Sequence, residues 1–343
     1  MGIFRVHGKY TAVFGILVGI MLTTGTGCTT LPSGAPPLHE AIASGNFARV
    51  QKLVESGADV NEQYGGIGIY PLERAAEFPE IALYLLSKGA GGRDRAFSAA
   101  LDKSQYDLAR ALVDAGVNCN ENANAFYYLF SKKDLTVDQK IKTAKDVSNN
   151  TLTSPYILVH IAPEDYKAVV DAFNINLEAK VLDADALGNV IDLGSTVLHV
   201  AARRNNADLI QFLLETGVDV NALDNNRQTA LFYAITAYGP RIDWESPIIE
   251  NETTAKINFA GDMPYYSNAG QVQQRQVANV LALLDANSNI NQQNYAGWAV
   301  LHFAAAAYPE GLRELLVEHG ADTNLKTNMN RTAEDILQLR GNK

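Results

Sequence analysis

Thr196-Val-Leu-His-Val-Ala-Ala202 leads into Leu209-Ile-Gln-Phe-Leu-Leu-Glu-Thr-Gly-Val-Asp-Val-Asn221, and the pair returns near the end of the chain. The later copy reads Ala299-Val-Leu-His-Phe-Ala-Ala305, then Leu312-Arg-Glu-Leu-Leu-Val-Glu-His-Gly-Ala-Asp-Thr-Asn324. Each copy predicts two short helices. The first opens on a small or hydroxyl residue and carries Leu and Ala on one side, and the second carries paired leucines and stops at Gly-x-Asp-x-Asn. Neither helix pair can bury its apolar face alone, so neighbouring copies must complete one another in a stacked array. Leu198 and Leu231 are 33 residues apart, which sets the period.

The unit resembles the ankyrin repeat, whose signature is Thr-Pro-Leu-His-x-Ala with a glycine-led turn after the second helix. The first copy opens at Pro37-Leu-His-Glu-Ala41 and ends at Gly57-Ala-Asp-Val-Asn61. Two weaker copies follow. One is Pro71-Leu-Glu-Arg-Ala75 with Leu83 to Ala90, and the other is Ala96-Phe-Ser-Ala-Ala100 with Leu108 to Asn118; Glu73 and Ser98 stand where the motif has histidine. The resemblance implies an all-α solenoid of stacked helix pairs with short β-turn fingers, occupying residues 37–343. Residues 122–195 depart furthest from the pattern and have room for two degenerate units, in which aromatic residues replace the usual small ones and alter helix spacing. A further copy begins Thr229-Ala-Leu-Phe-Tyr-Ala234, and its second helix is expected from Val277. The intervening insertion at 238–271 contains Trp244, Tyr265 and Tyr266 and reads as a peripheral loop on one side of the solenoid. Those aromatics either meet a partner or fold the loop back onto its own repeats. Arg331 to Leu339 reads as a terminal helix with a polar outer side.

Residues 1–27 have the organisation of a secretory signal: Arg5 and Lys9 precede the apolar run Ala12 to Leu22, and small residues lead to Cys28. The run is too short to span a hydrocarbon core as a helix. Thr26-Gly27-Cys28 resembles the end of a bacterial lipoprotein signal, which implies lipidation of Cys28, a tether over 28–36 and a place in the bacterial cell envelope, on the periplasmic side of the outer membrane. Gly25 departs from that pattern, and an ordinary secreted chain is the alternative. The net charge of −10 argues against nucleic acid as partner, because backbone recognition needs a positive surface.

His39, His199 and His302 occupy equivalent positions in separate copies, displaced along the array, whereas metal ligation needs several ligands within about 2 Å of one ion. The resemblance gives them a structural role, an imidazole that bonds backbone near the following turn. Asp59, Asp219 and Asp322 recur at one per turn, unlike the dense oxygen ligands of a calcium loop. No nucleophile elbow or phosphate-binding glycine loop occurs. The expected function is therefore noncatalytic protein binding, without cofactor or metal. Its candidate contacts are Asp224, Asn225, Asn226 and Arg227 in one turn, Tyr295 and Trp298 in another, and Trp244, Tyr265 and Tyr266 in the insertion. Trp298 has two readings, partner contact or packing within the array. The competing functions are a secreted effector, an inhibitor or immunity protein that occludes an enzyme, and an enzyme with a site assembled between repeats.

Overall fold

The computed structural model describes residues 34–180, 194–236, 269–307 and 311–341. Helices pair in sequence: α1 (Pro37–Ala43) with α2 (Phe47–Glu55), α3 (Pro71–Arg74) with α4 (Pro79–Ser87), and α5 (Arg93–Asp102) with α6 (Tyr106–Asp114). In the divergent stretch, a 3-10 turn at Ala123–Phe126 runs into α7 (Tyr127–Phe130) and pairs with α8 (Val137–Val147). A second 3-10 helix, Pro155–His160, pairs with α9 (Tyr166–Phe173). Then come α10 (Val197–Arg203) with α11 (Ala207–Glu215), α12 (Ala230–Thr236) with α13 (Ala269–Asp285), and α14 (Val300–Ala307) with α15 (Leu312–Glu318). The last helix is α16 (Ala333–Gly341).

Most of these helices have seven to eleven residues, too few to hold alone in water. Their ends are set by local chemistry. Pro37, Pro71 and Pro79 sit in the first turn, where a missing N–H costs nothing, and the Asn46 and Asn206 side chains accept from the Arg49 and Leu209 amides at 3.0 and 3.1 Å. Stability comes from stacking. First helices pack on first helices from α1 through α16, second helices likewise from α2 to α9, and the Tyr166–Phe212 ring contact at 5.3 Å carries the second layer on to α11. Leu38, Leu72, Leu198, Leu231 and Leu301 line one buried row and Leu85, Leu112, Leu213, Leu283 and Leu316 another, within a single continuous core.

The Gly-x-Asp-x-Asn endings join adjacent units by hydrogen bonds. Asp219 Oδ1 accepts the Asn221 amide at 2.9 Å, and Asn221 then bridges to the next unit, where Oδ1 accepts the Asn289 amide at 2.6 Å and Nδ2 donates to the Asn287 carbonyl at 3.1 Å. Asn61, Asn120 and Asn291 accept in the same way from Gly91, Ser154 and Asp322. Gly217 supplies the left-handed residue at φ +79° that turns the chain out of α11. In the divergent ending Asn174-Ile-Asn-Leu-Glu178, Asn174 takes that conformation at φ +49° and Glu178 takes the bridging place, accepting the Asp219 amide at 2.7 Å. The carboxylates of these turns are engaged with amides of the chain itself.

Two expectations are corrected. Short β-turn fingers are not present among the described residues: the only β pairing there is an isolated bridge between Tyr64 and Ile69. The loops at 224–228, 294–298 and 327–331 each close in five residues with one backbone bond and one side chain, too short to extend a ladder. The second helix of the seventh pair also begins at Ala269 rather than Val277, so 269–271 are helical and not part of a loop. Gln, Ala and Arg favour helix there, and Gln276 Nε2 donates to the Ala234 and Ile235 carbonyls at 3.1 and 2.7 Å, fastening α13 to the end of α12. Positions 238–268 of the expected insertion lie outside the described residues.

Candidate protein interface

The three histidines are buried, and each bonds the loop that leads to the next unit. Nε2 of His39, His199 and His302 lies 2.6, 3.1 and 3.0 Å from the carbonyls of Glu62, Gln228 and Leu325. Nδ1 of His199 accepts the Thr196 amide, and Nδ1 of His302 the Ala299 amide, each at 3.0 Å, which fixes the neutral tautomer with the proton on Nε2. Burial holds His39 and His302 below the usual imidazole range. Where the motif histidine is missing, Glu73 pairs with Arg95 at 3.0 Å and Arg95 donates to the Gly68 carbonyl at 2.9 Å, so an ion pair ties the same loop. Replacing His199 by alanine is expected to lower stability by about 1 to 3 kcal/mol by orphaning buried partners. Chemical denaturation checks this, and an unchanged midpoint would contradict it.

Three consecutive loops share one geometry. The backbone N–H of Asp224 donates to the Gln228 carbonyl at 3.0 Å, that of Asn294 to Trp298 at 3.0 Å, and that of Thr327 to Arg331 at 2.9 Å. The first side chain of each loop turns inward. Asp224 accepts from the Asn226 and Gln228 amides and from the Tyr233 hydroxyl, and Asn294 Oδ1 accepts from the Ala296 and Trp298 amides. Asp224 is only 5% exposed, which removes it from the expected contact surface. A carboxylate preceding Asn-Asn is drawn into the turn by the free amides beneath it.

The tips point outward. Asn225 and Arg227 are exposed, Asn226 is half-buried, and Tyr295 is 67% exposed with the Arg227 guanidinium 5.9 Å from its ring centre. Backbone bonds stack one tip on the next: the Tyr295 amide donates to the Asn226 carbonyl at 3.3 Å and the Asn328 amide to the Ala296 carbonyl at 3.0 Å. Gly297 is required by this approach, since a Cβ there would sit 2.7 Å from the Asn328 nitrogen. Trp298 is half-buried, its ring 5.2 Å from that of Phe303, so part of its surface is spent on its own unit. Met329, 46% exposed at the third tip, belongs to the same strip and is missed from sequence; aligning the three loops on Asp224, Asn294 and Thr327 would have found it. Trp244, Tyr265 and Tyr266, like Cys28, lie outside the described residues.

Among the described residues no group of three or more His, Cys, Asp or Glu side chains could hold a metal ion, and no helix is long and apolar enough to cross a membrane. The Cys119 thiol is pushed up to about 11 by burial, the reverse of an activated nucleophile.

This geometry defines an all-α, ankyrin-like solenoid. Family models agree: ankyrin repeats in three copies match residues 159–241, and single ankyrin repeats match 33–64 and 296–328. The chain carries ankyrin repeats, an architecture that is generally noncatalytic and typical of protein-binding scaffolds. An ankyrin repeat protein of fowlpox virus is 28% identical over 213 residues, covering 58% of this chain and 91% of that protein. A second fowlpox virus ankyrin repeat protein is 26% identical over 305 residues, covering 88% of this chain and 56% of the relative. Mouse protein phosphatase 1 regulatory subunit 27 is 46% identical over 88 residues, 25% of this chain and 52% of its own length.

Proposed function

We propose that the chain is a protein-binding scaffold that grips its partner through the exposed tips of successive inter-repeat loops and the adjoining concave face. The observation that carries this is the strip formed by Asn225, Arg227, Tyr295 and Met329, exposed side chains on loops fastened to one another by backbone bonds. Aromatic and arginine side chains dominate interface energetics when a partner covers them, and prefixed loops lose little freedom on binding. Combining Tyr295→Ala with Arg227→Ala is expected to weaken partner capture from the native source at least about tenfold, with circular dichroism unchanged. Undiminished capture by the folded variant would exclude the strip.

The reading includes an anchored location. The arrangement of residues 1–28 supports a lipid-modified Cys28 at the start of the mature chain, holding the array at the face of a bacterial envelope membrane. One acyl chain gives reversible attachment, and stable anchoring needs two or more. Cys28→Ser is expected to move the protein from the membrane to the soluble fraction. An unmodified mature N-terminus at another residue, found by mass spectrometry, would overturn the anchor while leaving the binding surface untouched.

A further inference from the structure

At the other end of the array a concave cavity of about 250 Å³ opens over the first three helix pairs, with Ile69, Phe78 and Ala99 among its apolar walls. Four charged side chains also line it. Glu73 is taken by Arg95 at 3.0 Å and Glu77 by Lys103 at 2.8 Å, whereas Arg74 has no carboxylate within ion-pair distance among the described residues. Its single protein bond explains its orientation. The capping position of α1 is Pro36, which has no N–H to offer Nδ1 of His39 in the way Thr196 serves His199. Arg74 Nε replaces that donor, reaching His39 Nδ1 at 3.0 Å, so the guanidinium is held half-buried with its two Nη groups unspent. Burial also presses its pKa down, and the nearby Glu73 carboxylate, already paired with Arg95, offsets this only in part.

We propose that this cavity receives one isolated carboxylate, the side chain of an Asp or Glu in a partner protein segment, against the Nη edge of Arg74. A planar carboxylate matches that edge with two parallel hydrogen bonds and restores the missing charge. Glu73 and Glu77 on the same walls disfavour a phosphate dianion or a run of acids, so the flanking residues of the partner are neutral, and Phe78 and Ile69 favour apolar ones. The inference rests on the reading of the array as a protein-binding scaffold and adds a second contact region with a defined chemistry.

The test is selection from a display library of random dodecapeptides on the full chain, on Arg74→Gln, on Arg74→Glu and on the Tyr295→Ala variant. Each is checked by thermal unfolding, because loss of the His39 bond alone lowers stability. The expected result is several-fold enrichment of a single Asp or Glu among neutral residues on the wild-type chain. That enrichment is lost with Arg74→Gln and turns to Lys or Arg with Arg74→Glu, and it is kept with Tyr295→Ala. Equal acidic enrichment on Arg74→Gln, or no acidic preference on the wild type, would overturn the proposal. Peptides that depend on Tyr295 and ignore Arg74 would leave the scaffold reading standing while this inference falls; no enrichment on any folded variant would defeat both.

Discussion

Replacing Phe126 by alanine is expected to destabilise the protein by about 3 to 5 kcal/mol, among the costlier single truncations a core tolerates. Phe126 is fully buried, and its ring meets that of Phe97 edge-on at 5.7 Å, joining the third helix pair to the divergent fourth. Phe126 is among the largest fully buried side chains of the array, and its loss leaves a cavity that short helices held by neighbours on both sides close only in part. Because each unit touches only its neighbours, the damage is expected to be local. Hydrogen exchange should rise first over residues 97–158, before the C-terminal units respond. A urea midpoint shifted by less than the equivalent of about 1 kcal/mol would mean that the divergent stretch does not share the core.

Acid is expected to destabilise the protein, most strongly at its middle. His160 is pushed down to about 4, mainly by burial and further by the Arg204 guanidinium; burial also lowers His39 and His302. These imidazoles are neutral when folded, whereas in the unfolded chain they titrate near 6.5. The unfolded state therefore binds more protons below that value. Stability is fully present above about pH 7 and is lost as pH falls from about 6.5 towards 4, with His160 alone contributing on the order of 3 kcal/mol across that window. Denaturation at pH 7.5 and 5.0 reads the loss before the carboxylates titrate. His160→Gln is expected to flatten the pH dependence, and an equally steep slope in that variant would contradict the assignment.

Much of this fold is legible in the chain because the repeats write it locally. Leu198-His199 and Gly217-Val-Asp-Val-Asn221 name a helix start and a helix stop within a few residues, and the copies at 37–61 and 299–324 do the same. The hidden parts depend on groups far apart in sequence. Nothing near Glu178 says that it takes an asparagine's place; only its 2.7 Å bond to the Asp219 amide does. The Glu73–Arg95 pair that substitutes for a histidine spans two units, and the Gln276 bonds that fasten α13 to the end of α12 reach across 41 and 42 residues of chain. The interface was legible in position more than in membership. Tyr295 and Arg227 stand at the tips as their loop chemistry suggests, but Asp224 and Asn225 look alike in sequence, and free amides of the turn draw one in and leave the other out.

The claim that the stacked loop tips bind a protein is tested most directly by placing a photo-crosslinking residue at position 295 in the full-length chain, in its native source, with position 211 on the exposed side of α11 as control. The account predicts crosslinks from 295 to one recurrent protein, mapped by mass spectrometry, absent from 211 and reduced by Arg227→Ala. The same proteins crosslinked equally from both positions, or none from 295, would contradict it.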